Sequence, residues 1–411
     1  MSTSHLTAQH EHLREQVRTF AEAEVVPRVA QMESSMSVDH ELPTLIAQQG
    51  WVGATVPTAY GGMAADEGPV GEDCPAADGG LAAGHLAKTI IIEELGRACG
   101  AMAAMVQASQ LGTAKIIYSG NDEQKNTWLP QIAAGTCLPT IAVTEKVSGS
   151  HVLGMQSSAR RKGRGYVLNG RKVFVGNSHI GHLHGVVMRT GEGSRGLSAF
   201  LVEADRRGVT VAPHQPSLGL HGFSLGEVIF DNCHIPAANL IGEEGDGLNV
   251  AYSSSVLYGR PNLAAVSLGI HQSILDETIQ FVKQRKRYGG SLSELPTIQQ
   301  KLGLMQSRLI TARTMVYEAV HLLDRGAACD AELMNSKYIS VEATIDSARA
   351  AMEIHAADGL RTDRPLQRLV RDAFHTWAPA GTGDVQLHRL AEEALGASQG
   401  QWSQRLARSA V

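Results

Sequence analysis

The hydrophobic period changes twice along this chain, and that change constrains the fold more than any single motif does. Up to about Gly135, apolar residues recur at three- and four-residue steps, as at Leu13, Val17, Phe20 and Ala21. That is the spacing of one helix face. Pro27 stands where the first of these helices must break or kink. From about Leu138 to Gly242 the texture differs. Short segments rich in Val, Ile and Phe (Arg171–Val175, Gly185–Met188, Leu197–Val202, Gly208–Val211 and Glu227–Phe230) are separated by Gly, Asn and Asp. Such segments read as strands of a small antiparallel sheet or barrel. After Gly247 the helical period returns in longer runs. Leu302, Met305, Leu309, Ala312, Val316, Ala319 and Leu323 make one stripe, and Ala331, Met334, Tyr338, Val341, Ile345 and Ala348 make another. Stripes this regular predict helices packed nearly antiparallel in a bundle. The expected architecture is α+β in three parts: an all-α domain over residues 1–137, a β-domain over 138–246 and a helical bundle over 247–411. The polar stretch Met63–Gly80 has no period and reads as a surface loop.

Bulk properties narrow the function classes. A chain of 411 residues is too long for one simple core, which agrees with several packed domains. A net charge of −5 argues against a surface built for nucleic acid or for an acidic membrane. No apolar run reaches membrane-spanning length, and Arg14 and Arg18 interrupt the first segment, so it does not read as a signal peptide. Cys74, Cys99, Cys137, Cys233 and Cys329 are scattered and odd in number. They suit reduced thiols in a cytoplasm better than a disulfide framework or a zinc site.

Several motifs have a chemical and a structural reading. Gly191-Glu-Gly-Ser-Arg-Gly196 fits a dinucleotide loop, but a strand follows it where a helix should, so it reads as a hairpin loop. His179, His182 and His184 lack a nearby carboxylate, and solvated loop histidines are the default over a metal site. Ser148-Gly-Ser150 lacks the spacing of a nucleophile elbow; its hydroxyls and N–H groups suit an anion or a cofactor ring. Arg285-Lys-Arg-Tyr288 ends a helical run. Its cations either complement the helix dipole or aim a guanidinium at a pyrophosphate.

Taken in order, a longer set of pieces resembles the acyl-CoA dehydrogenase family over nearly the whole chain. The pieces are Gly50–Pro57 with Tyr60-Gly-Gly62, Glu93-Glu-Leu-Gly96, Gly120–Gln124 with Leu129-Pro130, and Thr144-Glu145. Asn169–Lys172, Gly219-Leu220, Ile235-Pro236 and Gly242–Gly247 follow, then Gly259-Arg-Pro261, Arg285 with Tyr288, Arg371-Asp372 and Gly381-Thr382. The resemblance implies a helical domain, a central antiparallel β-domain and a C-terminal four-helix bundle, with FAD between sheet and bundle. It implies a homotetramer or homodimer in which a neighbouring subunit completes the site. It places Thr144, Ser150 and the strand from Phe174 to Gly176 along the flavin ring. Arg285, Tyr288, Glu353, Ala357 and Thr382 fall toward the pyrophosphate, and Tyr258 and Arg260 toward the substrate.

Three departures bear on chemistry. In the family a carboxylate removes the substrate α-proton while the flavin takes a hydride. The position that usually carries it is Ala380, and the alternative position before the arginine is Gly259. The usual Trp-Ile-Thr on the flavin face is Phe174-Val-Gly176, and the usual Gly-Gly before Asp358 is Ala356-Ala357. Asp384, His375 and Tyr258 are candidate surrogate bases, each with a structural reading as a first-turn acid or a packed side chain. Three functions follow: an FAD-dependent oxidoreductase on a CoA- or carrier-bound acyl thioester, with a separate electron acceptor; a flavin-dependent monooxygenase fed by a flavin reductase; or a non-redox subunit.

Overall fold

A computed structural model describes residues 6–64, 84–397 and 401–407. Ala65 to Gly80, most of the stretch read as a surface loop, and Cys74 with it, lie outside the described residues.

Helix α1 (Ala8–Phe20) starts at Thr7, whose hydroxyl accepts a hydrogen bond from the His10 amide, and buries Leu13 and Val17. It runs through a π-helical turn (Ala21–Val25) and a 3₁₀ turn (Val26–Arg28) into α2 (Val29–Ser35). Pro27 therefore kinks the run without ending it. α3 (Leu42–Ala47), α4 (His85–Ala98), α5 (Gly100–Ser119) and α6 (Asp122–Ala133) complete the first part. At α6, Asn121 and Gln124 form a reciprocal capping box, which accounts for the Gly120–Gln124 piece as a helix start. α4 and α5 are buried along most of their length, so they form the centre of the molecule.

The sheet contains β1 (Pro139–Ala142), β2 (Ser158–Lys162), β3 (Gly165–Gly176), β4 (Leu183–Arg189), β5 (Leu197–Glu203), β6 (Val209–Val211), β7 (Leu225–Pro236) and β8 (Leu240–Ile241). Its order is β6-β7-β3-β2-β4-β5-β8, with β1 also on β4. The expected strands fall in β3 to β7, and the pairing is antiparallel except that β4 meets β1 and β2 in parallel. The Gly191–Gly196 stretch joins β4 to β5 as a hairpin loop.

The third part holds α7 (Gly247–Ser254), α8 (Arg260–Gln284), a short hairpin of β9 (Lys286–Arg287) and β10 (Gly290–Ser291), α9 (Pro296–Asp324) and α10 (Asp330–His355). α11 (Pro365–His375), α12 (Gly383–Ala394) and α13 (Trp402–Ala407) follow. The α9 stripe from Met305 to Leu323 is buried as expected. On α10 the expected stripe is buried at Val341, Ile345 and Ala348 but displaced in its first half: Ala331, Met334 and Tyr338 are half-buried, while Leu333, Ser336, Lys337 and Ser340 are buried. Ser336 and Lys337, hydrogen-bonded to backbone carbonyls, carry part of the inward face there, which an apolar period cannot report.

One buried ion pair joins two of the family-like pieces. Lys172 Nζ on β3 donates to Glu145 Oε1 at 2.7 Å and to the Val143 carbonyl at 3.0 Å. The Glu145 carboxylate also accepts from the amides of Gln156 and Ser157. Burial alone would raise the Glu145 carboxyl, but the Gln156 amide and Lys172 hold it below its ordinary value. A depressed folded-state value stabilises the fold above the ordinary carboxylate range and loses that contribution as pH falls through it. Lys172→Met should therefore destabilise by about 3–5 kcal/mol in denaturant titration near neutral pH, because it orphans Glu145. Wild-type thermal stability should begin to fall below about pH 4.5, and an acid limb identical in Glu145→Gln would contradict this assignment.

Candidate functional site

The segment leading to Gly259 leaves regular α-helix. Residues Ser255–Gly259 form a π-helical turn between α7 and α8, a device frequent at functional sites because it re-aims side chains. Lys88 Nζ, fully buried on α4, donates to the Leu257 carbonyl at 3.0 Å within that turn. A Cβ built on Gly259 would lie 3.3 Å from the Ala380 Cβ, 3.6 Å from Ser255 Oγ and 3.7 Å from Leu111 Cδ2. The two seats expected for an acid therefore lie in contact with each other, and neither carries one.

The opposite segment is held just as firmly. Ala380 takes a left-handed conformation (φ 57°) and Gly381 follows at φ 91°. Lys337 Nζ on α10 donates to the carbonyls of Trp377 (2.8 Å) and Gly381 (2.7 Å). Gln386 Nε2 on α12 donates to the carbonyls of Ala380 (3.0 Å) and Gly381 (3.2 Å). Burial pulls the Lys337 ammonium down to about 8.

The strand expected along a flavin lies one turn away on the same helix. A Cβ on Gly176 would sit 2.8 Å from Ala108 Cβ and 3.0 Å from Phe223 Cζ. Ala108 and Leu111 are three residues apart on α5, so Gly176 and Gly259 flank neighbouring turns of one helix. The Val173 amide donates to the Thr144 carbonyl at 2.8 Å, which joins Thr144 to this strand. Phe174 occupies a bulge in β3 with φ 55°, and its side chain is 72% exposed. Ser150 is exposed, and nothing lies within 4 Å of a Cβ built on Gly149.

A second group gathers at the far end of α8. Arg285 caps that helix and pairs with Asp358 at 3.2 Å. Tyr288 is 92% exposed at φ 55°. Glu353 is exposed and paired with Lys301, and Ala357 is exposed. Ala356 adopts φ 50° and ψ −131°, a region suited to glycine. The 25 residues of α8 set Arg285 roughly 37 Å from Arg260, so the two groups lie at opposite ends of one helix. Thr382 is the half-buried N-cap of α12.

Family profiles for the N-terminal, middle and C-terminal domains of acyl-CoA dehydrogenases match residues 7–70 and 63–136, 140–233 and 245–395. The chain belongs to the acyl-CoA dehydrogenase family. It is 33% identical over 95% of its length to an acyl-CoA dehydrogenase of Bacillus subtilis, of which it covers 99%. Butyryl-CoA dehydrogenase from Megasphaera elsdenii superposes with a TM-score of 0.89 at 27% identity, covering 96% of this chain and 100% of that one. An acyl-CoA dehydrogenase from Bacillus anthracis solved with FAD gives a TM-score of 0.85 at 26% identity, over 96% of this chain and 68% of that one.

FAD is the cofactor of this family of oxidoreductases, and the residues present suit it. The exposed Phe174 ring and the open Gly149–Ser150 turn offer an apolar face and free N–H groups on the sheet side. Arg285 and exposed Tyr288 offer a cation and an aromatic ring on the bundle side.

The surrogate bases fare differently. Asp384 is exposed in the first turn of α12, a first-turn acid. His375 is half-buried beside His221, and burial lowers its imidazole to about 4. Tyr258, expected at the substrate, is instead fully buried. Its ring packs on His85 and Tyr118 under the Lys88 ammonium, and burial raises its hydroxyl to about 12. The expectation of solvated histidines holds for His182, which is exposed, and needs correction for the other two: His184 is buried on Thr140 Oγ1 at 2.8 Å, and His179 bridges Ser224 and the Ala212 carbonyl. Strand pairing drew them inward to separate partners. Sequence reasoning missed Lys88, Lys337, Gln386 and Phe223. A lysine inside an apolar helical stripe was the available signal for the first two. A cavity of about 580 Å³ lies elsewhere, among α1, α4, α8 and α9; its Arg18 and Arg313 already pair with Glu94 and Glu93.

Phe223 fills the space a threonine would need at Gly176. Gly176→Thr should therefore cost about 1–3 kcal/mol by overpacking, and Phe223→Ala in the same chain should recover part of it in thermal melts. Ala356→Gly should raise stability by about 1 kcal/mol by releasing backbone strain; an unchanged melting temperature would rule out strain at that turn.

Proposed function

We propose that this protein is an FAD-dependent oxidoreductase acting on an acyl thioester, delivered by CoA or a carrier protein, in a specialised pathway. The observation that carries this reading is the approach of Gly176 and the Gly259–Ala380 contact to neighbouring turns of α5. A thioester held there has its α-carbon at the facing seats and its β-carbon toward the strand bearing Phe174. Bound FAD supplies a two-electron acceptor at that strand. Thr144 and Ser150 contact the ring side, and Arg285, Tyr288, Glu353, Ala357 and Thr382 serve the pyrophosphate side.

The opposite ends of α8 favour a homodimer or homotetramer, in which one copy's Arg285 serves another copy's flavin. Cys99, Cys137, Cys233 and Cys329 are free and buried, which suits the cytoplasm. No helix among the described residues is long and apolar enough to cross a membrane. Electrons leave through a separate acceptor.

The chain's own residues position the thioester but do not take its proton. Lys337 and Gln386 hold the Ala380 carbonyl segment, and Lys88 holds the Leu257 turn. No carboxylate occupies either seat, so the α-proton must be acidic in the substrate or leave to another group. Mixing FAD-loaded protein anaerobically with an acyl-thioester panel should bleach the flavin absorbance for at least one member. Ala380→Glu should speed bleaching by simple saturated thioesters about 100-fold or more. No bleaching with any thioester, or oxygen uptake coupled to hydroxylation of the added compound, would replace this reading with the inert or the monooxygenase alternative.

A further inference from the structure

Arg260 follows the empty seat at Gly259 and is 4% exposed, and its Nε and Nη1 atoms are buried without a hydrogen-bond partner. A buried guanidinium in that state is costly unless a counter-charge meets it. Of the charged groups facing it, Asp330 attracts it without a hydrogen bond to either atom. Asp330, the acid on the adjoining helix α10, accepts from the Trp402 and Ser403 amides at 2.7 and 2.9 Å and so caps α13. Arg389 and Lys337 add further positive charge, and Glu342 attracts Lys337. Gln386, which holds the Ala380 carbonyl, keeps its own Oε1 buried and unpartnered.

The usual acid of this space is replaced by Ala380, and the alternative seat is Gly259. The cations Arg260, Lys337 and Arg389 remain, and among the described residues Asp330 attracts Arg260 without bonding to its Nε or Nη1. A neutral acyl group would leave Arg260 orphaned. An acyl group bearing a carboxylate would supply the missing partner through a charge-assisted hydrogen bond, for which the guanidinium fork is well shaped.

We infer that this protein selects an anionic acyl thioester, one whose acyl group carries a carboxylate that pairs with Arg260. The inference rests on the thioester-oxidoreductase reading and narrows it to a substrate class. It is a statement about binding and adds no step to the chemistry.

The test compares matched thioesters on FAD-loaded protein, with binding read from the perturbation of the flavin spectrum. Succinyl-CoA and glutaryl-CoA would be titrated against butyryl-CoA and valeryl-CoA, with CoA alone as reference. The expected result is at least about 10-fold tighter binding of the anionic member of a pair. That preference should disappear in Arg260→Gln and survive in part in Arg260→Lys, while CoA binds all three proteins alike. Equal or tighter binding of the neutral thioesters would overturn the inference and leave the thioester reading standing. An equal loss for both classes in Arg260→Gln would assign Arg260 a structural role and also overturn it. Failure of every thioester to perturb the flavin would overturn both. The comparison within wild-type protein stands even if a variant does not fold.

Discussion

Four fully buried lysines, each donating to a backbone carbonyl, frame the reaction space, and the rest of the site depends on them. Lys88 holds Leu257, Lys115 holds Thr140, Lys172 holds Val143, and Lys337 holds Trp377 and Gly381. The carbonyls belong to the π-helical turn, β1, the Thr144 loop and the Ala380 loop. Burial lowers every one of these ammonium groups, to about 7 for Lys115 and about 8 for Lys172 and Lys337. Burying a lysine opposes folding, so such groups persist where they satisfy carbonyls that irregular backbone leaves open. The π-helical turn, the Val143 loop and the loop with left-handed Ala380 are irregular backbone, and a lysine meets a carbonyl in each; Lys115 instead meets Thr140 within β1.

This arrangement separates geometry from chemistry. In many sites the acid that reacts also helps hold the loop that carries it. Here the Ala380 loop is fixed by Lys337 and Gln386 through main-chain oxygens alone, without any side chain at position 380. Loss of the carboxylate therefore leaves the loop in place. Gly259 opposite is fixed in the same manner by a bond to Leu257 two residues earlier. The vacancy is a local chemical deletion within an intact frame.

Much of the frame was legible in the sequence, and the reasons are physical. Period distinguishes helix from strand because the two present side chains at 3.6 and 2 residues. That was enough for the three-part order, the Pro27 kink and the β3 to β7 strands. Several family-like pieces proved structural: Asn121 and Gln124 cap α6, Glu145 pairs with Lys172, and the Gly219 backbone packs on Arg371. What escaped was pairing over long separations. A lysine in an apolar stripe signals burial, but nothing local says that Lys88 meets a carbonyl 169 residues later. The parallel contacts of β4, the burial of Tyr258 and the inward turn of His184 are of the same kind. Each is decided by which elements come together, and local pattern is silent on that.

The remaining question is what a site with fixed geometry and no acid can still accomplish. A frame of buried cations stabilises negative charge wherever it appears within reach, since little solvent screens it there. It cannot create that charge by removing a proton from an unactivated carbon. The burden therefore moves to the substrate, which must arrive with the charge or with an acidic carbon. Arg260, whose Nε and Nη1 meet no acceptor among the described residues beside the two seats without an acid, is the residue to which that charge would be offered.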